Sequence, residues 1–253
     1  MNKIRYIFLA GVILILSGCG GPRVRYEKTP VDKLVKKLSN EQDFSIILYD
    51  MNYDESSNDY KHQYQVLIPQ PDTVEAEITP WYTVSDVFFQ KHVDNMGMEI
   101  VSKVDGKINK KAAPPGYNHY VGNERYGQWV NRNGNSFWEF YGKFAFMSSM
   151  FNMMSYPVQR SYYNDYRNNY YGSRSYYGPT RNGRNYYGTK SRFNQNRSST
   201  AWNRKGNTFK SKVRSRVKQS ASTSRRSSVS RRSRSSSRYS GSSYRSRGGG
   251  FGK

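Results

Sequence analysis

Few residues of this chain combine the types and spacing that reaction chemistry needs. There is one cysteine, Cys19, and there are three histidines, His62, His92 and His119, far apart in sequence. A metal site needs clustered His, Cys or carboxylate ligands, so each histidine reads as an ordinary strand, helix or loop residue. Asp50, Asn52, Asp54 and Ser56 follow the opening of a calcium loop. The pattern then breaks, because Glu55 stands at the glycine position and Lys61 where the bidentate glutamate belongs; the segment reads as a solvated turn. Gly134-Asn135-Ser136-Phe137-Trp138 lacks the second glycine of a nucleophile elbow. Asp72, Glu75 and Glu77 read as a polar edge rather than an acid/base set. The expectation is a non-enzymatic protein with no cofactor and no metal. The residues left with chemical character are the Cys19 thiol and the arginines of the C-terminal part.

The thiol sits in an informative context. Asn2-Lys3-Ile4-Arg5 gives a basic start, Ile7 to Leu16 is apolar or small, and Leu16-Ser17-Gly18-Cys19 follows. A membrane span needs about 20 apolar residues, and this run has the length of the apolar part of a signal peptide. Leu16-Ser17-Gly18-Cys19 resembles the lipobox of bacterial lipoproteins. The resemblance implies a signal peptide over 1–18, cleavage before Cys19, acylation of its thiol by palmitate-type chains, and a tether over 19–25. Two or more acyl chains hold a protein stably on a membrane. The implied location is the bacterial cell envelope, and Gly20, in place of Asp, implies the outer membrane if the host is Gram-negative. With its one cysteine committed to lipid, the chain has no intrachain disulfide.

Charge divides the chain in two. Residues 1–154 hold 17 Lys or Arg and 17 Asp or Glu, whereas residues 155–253 hold 24 basic residues and one acid, Asp165. The whole net charge of +23 therefore lies in the last 99 residues. That part is mostly Ser, Arg, Asn, Gly and Tyr. Low hydrophobicity with high net charge leaves the entropy of ordering uncompensated, so 155–253 reads as a disordered basic tail. Its first block carries the pairs Tyr162-Tyr163, Tyr170-Tyr171, Tyr176-Tyr177 and Tyr186-Tyr187, the last three each followed by Gly. Its second block, 210–247, is Ser/Arg-rich.

The neutral half reads as α+β. Thr29-Pro30 opens a helix with Val31, Leu34, Val35 and Leu38 at helical spacing. Phe44–Tyr49 and Tyr60–Ile68 read as a hairpin, the second strand placing Tyr60, His62, Tyr64, Val66 and Ile68 at alternate positions. A second helix spans 84–95 with Thr83 as its cap and Gly97 beyond its end. A last strand spans 98–104, with Met98, Ile100 and Val104 on one face and Val101 on the other. The small domain is thus 26–105 in the order helix, strand, strand, helix, strand, followed by a linker over 106–117. Residues 118–154 form an aromatic and Met-rich segment with an Asn133-Gly134 hairpin signal. Its apolar part either packs on the small domain or lies in a membrane interface; Glu139 and Lys143 argue against a span.

A polycation neutralises polyanions and releases their counterions, so binding follows charge and weakens with salt. Interleaved tyrosines add stacking, and arginines add cation–π contacts. The residues expected to bind are Arg225, Arg226, Arg231, Arg232, Arg234 and Arg238. Outside the cytoplasm the polyanions are lipopolysaccharide, peptidoglycan and extracellular DNA. The C-terminal order of Ser136-Phe137-Trp138, a Met-rich stretch (Met147, Met150, Met153, Met154), a Tyr/Gly-rich section and Arg247-Gly248-Gly249-Gly250-Phe251-Gly252 resembles the layout of YgiB-type bacterial lipoproteins. The expected function is a lipid-anchored envelope protein whose basic tail binds anionic polymers. The alternative is a module that docks a protein partner, with the tail as a spacer. Replacement of Cys19 by Ala should abolish incorporation of radiolabelled palmitate and release the chain from the membrane fraction; labelling that persists in the variant overturns the assignment of the thiol.

Overall fold

The computed structural model describes residues 28–233. Cys19, the segments 1–18 and 19–25, Arg234 and Arg238 lie outside the described residues. The class is α+β, as the pattern of the N-terminal half implies. Helix α1 (Pro30–Lys37) starts in a full capping box: the Asp32 amide donates to Thr29 Oγ1 at 3.2 Å and the Thr29 amide donates to Asp32 Oδ2 at 3.2 Å. There follow β1 (Phe44–Asp54), β2 (Asp59–Pro69), β3 (Val74–Ile78), β4 (Tyr82–Val84), α2 (Asp86–His92), β5 (Glu99–Val104) and β6 (Lys107–Asn109). They make one six-stranded sheet in the order β3-β2-β1-β5-β6, with β4 also paired to β2 and every pairing antiparallel.

Helix α2 is shorter than expected, because Ser85, not Thr83, caps it by accepting from the Phe88 amide at 3.2 Å. Residues 82–84 are instead a strand on β2. The sheet is apolar on both faces. Phe44, Ile46 and Leu48 of β1 enter one core, with Tyr60, Tyr64 and Val66 of β2, while Ile47 and Leu67 enter the other. A bulge between Leu48 and Asp50 resets the alternation, so Met51 and Tyr53 return to the first core. Asp50 and Asn52 therefore belong to a strand rather than to a solvated turn. A second irregularity pairs Ile46 with Val101 and Ile47 with Glu99. It puts Ile100 and Val101 together in the first core and Met98 in the second, against the strict alternation that the sequence suggests.

Two covers close the sheet. Helices α1 and α2 lie on the first core, together with Trp202, Val213 and Val217 from late in the chain. The buried apolar residues from Ala112 to Tyr187 lie on the second. The stretch expected as a linker is not one: it carries β6, and Ala112, Ala113 and Tyr117 are buried. Next come β7 (Gly127–Arg132) and β8 (Asn135–Phe140), joined by the expected turn with φ of 48° at Asn133 and 77° at Gly134. A 3₁₀ turn (Gly142–Phe144) and α3 (Phe146–Met150) follow. The aromatic segment packs through Trp138, Phe144, Met147 and Phe151. Among the described residues no helix is long and apolar enough to cross a membrane.

The main departure from the sequence reading comes after Ser155. As far as residue 222 the basic segment is folded rather than a tail. Helix α4 (Arg160–Asn169), strands β9 (Thr180–Arg181) and β10 (Arg184–Asn185), and helices α5 (Arg192–Asn196), α6 (Ala201–Arg204) and α7 (Asn207–Ser233) are packed on the domain. Tyr166, Tyr176, Tyr187, Trp202, Val213 and Val217 are all buried. The physical reason is tyrosine, which scores as weakly polar yet buries a large ring while its hydroxyl keeps a partner. Tyr117 meets the rings of Tyr163, Tyr166, Tyr176 and Tyr187 with centroids 5.6–6.4 Å apart.

Beneath that layer lies Glu99, fully buried. Its carboxylate accepts from the Asn118 amide at 2.5 Å and from the Gly116 N–H at 3.4 Å, and Tyr166 donates its hydroxyl to the same Asn118 side chain. The hydroxyls of Ser45 and Ser102 act on the carboxyl without closing a regular hydrogen bond. Burial pushes the Glu99 carboxyl up to about 7, against the opposing pull of these donors. The folded protein thus keeps a proton that the unfolded chain gives up near pH 4.5, so this group's contribution to stability is lost as pH rises toward 7. The variant Glu99→Gln should therefore match the native protein in urea denaturation near pH ~5 and exceed it near pH ~8, by at most about 3 kcal/mol. An equal difference at both pH values shows that the carboxyl does not titrate in this range.

Candidate polyanion-binding site

The segment 177–214 carries the ordered basic surface, and its fixing points explain its shape. Thr189 is the first. Its hydroxyl donates to the Val93 carbonyl at 2.8 Å and accepts from the Met96 amide at 3.0 Å, and its own amide donates to the Asp94 carbonyl at 3.0 Å. Asn194 is the second, donating to the carbonyls of Met96 at 2.7 Å and Gly188 at 3.0 Å. Two glycines let the segments approach. Gly97 has φ 77° and a side chain there would collide with the Asn194 amide, while a Cβ on Gly188 (φ 90°) would lie 2.6 Å from the Asp94 carbonyl oxygen. Tyr177 completes the seam by donating to Asn95 Oδ1 at 2.7 Å.

Asp50 is the third fixing point. Its carboxylate, delivered by the β1 bulge, accepts from the amides of Ala201 at 2.5 Å and Trp202 at 3.2 Å at the start of α6, and from Met51 at 2.7 Å. Burial raises its pKa, and the three N–H donors and the nearby Arg197 guanidinium pull it back down. Trp202, pinned behind this cap, meets Phe89 with ring centroids 6.0 Å apart. Helix α7 then runs across α2, and Arg214 reaches Asp94 at 2.7 Å.

On this scaffold β9 and β10 form a small hairpin. Its turn has φ of 52° at Asn182 and 71° at Gly183, and Thr180 Oγ1 donates to Asn185 Oδ1 at 3.0 Å across it. Three concavities meet at its foot. One of about 530 Å³ is lined by Arg181, Arg184, Arg192, Tyr156 and Tyr186 among others. A second of about 430 Å³ adds Tyr177, Lys190 and Asp94. A third of about 780 Å³ is lined by Lys190, Lys205, Lys210 and Arg214. Arg184 borders all three, so they form one basic strip from Arg181 to Arg214. Among the described lining residues Asp94 is the one acid, and it is engaged by Arg214 and, at 3.6 Å, by Lys190. Burial, and then Arg214, lowers the pKa of Lys210. The strip can hold anions.

The arginines singled out in the sequence lie elsewhere. Arg225, Arg226, Arg231 and Arg232 are on the backbone of α7, and Arg234 and Arg238 are outside the described residues. The strip residues were legible in one place only: Arg181-Asn182-Gly183-Arg184 repeats the Asn-Gly hairpin signal already read at Asn133-Gly134. The histidines play no part in it. His62 and His92 come together in the first core with rings 6.5 Å apart, and burial drives both downward, His92 to about 3, so both are neutral. His119 meets the Tyr126 hydroxyl at 3.0 Å. Among the described residues no group of three or more His, Cys, Asp or Glu is placed to hold a metal ion.

Comparison with family models, with curated proteins and with solved structures finds no match to this chain. Asp50→Ala should cost about 2 kcal/mol by orphaning the Ala201 and Trp202 amides. Amide exchange should quicken across 188–217 while β2 and β3 stay protected; protection unchanged at Trp202 would show that the carboxylate does not hold this segment.

Proposed function

We propose that this is a non-enzymatic, lipid-anchored protein of the bacterial envelope that binds anionic polymers through the ordered basic strip. The observation that carries the reading is the strip itself: seven cations, Arg181, Arg184, Lys190, Arg192, Lys205, Lys210 and Arg214, border adjoining concavities whose one acid among the described lining residues, Asp94, is already paired. Polyanion binding needs closely spaced cations, and it gains when they are held in place before the ligand arrives. Tyrosines at the same surface, Tyr156, Tyr177 and Tyr186, supply flat faces for rings of the ligand. The lipid attachment at Cys19 rests on the lipobox resemblance. It makes the relevant polymers those outside the cytoplasm, namely lipopolysaccharide, peptidoglycan and extracellular DNA.

The test is binding of purified protein to lipopolysaccharide at about 50 and about 200 mM salt. Affinity should fall steeply across this interval. Lys205→Gln with Lys210→Gln should flatten the log–log salt slope by about 1 to 2. Salt-insensitive binding, or an unchanged slope in the double variant, overturns the reading.

A further inference from the structure

We propose that the pocket at the 180–185 hairpin is a specific site for a phosphorylated saccharide; this deepens the polyanion reading and rests on it. The first observation concerns arginine partners. Elsewhere, the arginines with described side chains are all engaged. Arg132 pairs with Glu139, Arg214 with Asp94, and Arg125 donates to the Gln70 carbonyl at 2.6 Å. Arg167 and Arg174 each lie 4.2 Å from a tyrosine ring centroid. The side chains of Arg181, Arg184 and Arg192 have no hydrogen bond, ion pair or ring partner among the described residues, and all three line the same cavity of about 530 Å³.

The second observation is the register. Arg181 and Arg184 are direct cross-strand partners in a hairpin of two residue pairs. Like charges placed opposite each other destabilise a strand pair. A turn this short holds them together only because Thr180, Asn185 and the Asn182-Gly183 turn close it. Two arginines set opposite each other, with a third from the first turn of α5 lining the same cavity, supply the charge and the donors that a phosphate takes. Each planar fork donates two parallel N–H bonds to phosphate oxygens.

The third observation is the rest of the lining, which selects among phosphorylated ligands. Tyr156 and Tyr186 have centroids 5.0 Å apart at an interplanar angle of 50°. Rings tilted this far leave no parallel slot for a nucleobase, whose stacking is face to face. They do offer an angled apolar floor for the C–H face of a pyranose. Asn182 and Asn185 stand beside them and carry the amide donors and acceptors that sugar hydroxyls need. The cavity lies within the range of small-ligand sites, which is a sugar phosphate or a disaccharide and not a long polymer track. Among the described residues no carboxylate lines it to repel a phosphate.

The experiment titrates the full chain with glucosamine 6-phosphate, glucosamine and inorganic phosphate in turn. The sugar phosphate should bind at least about tenfold more tightly than either half alone, and Arg181→Gln with Arg184→Gln should weaken it about tenfold or more. The same double variant should also flatten the log–log salt slope of lipopolysaccharide binding by about 1 to 2, as the loss of any two cations of the strip does. It should also melt no lower than the native protein, since it removes a like-charge pair. Deacylated lipid A headgroup and glycerol-phosphate polymer serve as competitors and separate a phosphomonoester on a sugar from a phosphodiester chain; the headgroup should compete more strongly. Sugar phosphate that binds no better than inorganic phosphate, or that binds the double variant equally well, overturns the proposal while the polymer reading stands. Loss of all lipopolysaccharide binding in the native protein removes the polymer reading instead.

Discussion

A sheet that is apolar on both faces has to be covered twice, and this constraint organises the molecule. Strand β1 sends Phe44, Ile46 and Leu48 to one side and Ile47 to the other. Helices α1 and α2 cover only part of the first side. The second side has no cover at all in residues 28–110. Everything that follows is recruited to finish the job, including a segment whose composition argues for solvent. Ordering a residue costs about 1–2 kcal/mol in backbone entropy, so such a segment folds only where it buries enough surface. Here the exposed second face supplies that surface, and the tyrosines use it.

Tyrosine is the residue on which a composition-based reading fails. Averaged over 155–222, abundant Arg, Ser and Asn hide the aromatic content, and the mean hydropathy of the whole chain is −0.92. An average ignores position. Tyr166, Tyr176 and Tyr187 sit where they meet Tyr117 in the second core, while the arginines between them point outward or lie over ring faces. The Tyr-Tyr-Gly triplets, read as biased composition, have structural meaning. Each glycine adopts positive φ, at Gly172, Gly178 and Gly188, and turns the chain back after an aromatic pair.

What could be read early was local. The Thr29-Pro30 helix start, the alternation through β2 and the Asn133-Gly134 turn depend on neighbours a few residues away, and each is present. What could not be read was long-range. The bulges at Leu48/Asp50 and Ile46/Ile47 break the period-2 rule for reasons that lie in pairing partners. The role of Asp50 depends on amides 151 and 152 positions away. For the candidate site, the charge was visible and its location was not. Guanidinium groups that ended on ring faces could not be told in advance from the three left open at the hairpin.

The Asp50 carboxylate ties β1 to a helix that lies about three-quarters of the way along the chain. Closure of the first core therefore waits for nearly the last folded residues to arrive, because Trp202, Val213 and Val217 belong to it. Contacts of such high sequence separation form late. A polypeptide built this way stays loose through most of its length and locks only when residues 201–217 reach the sheet, so its N-terminal half alone leaves one face of its own core open.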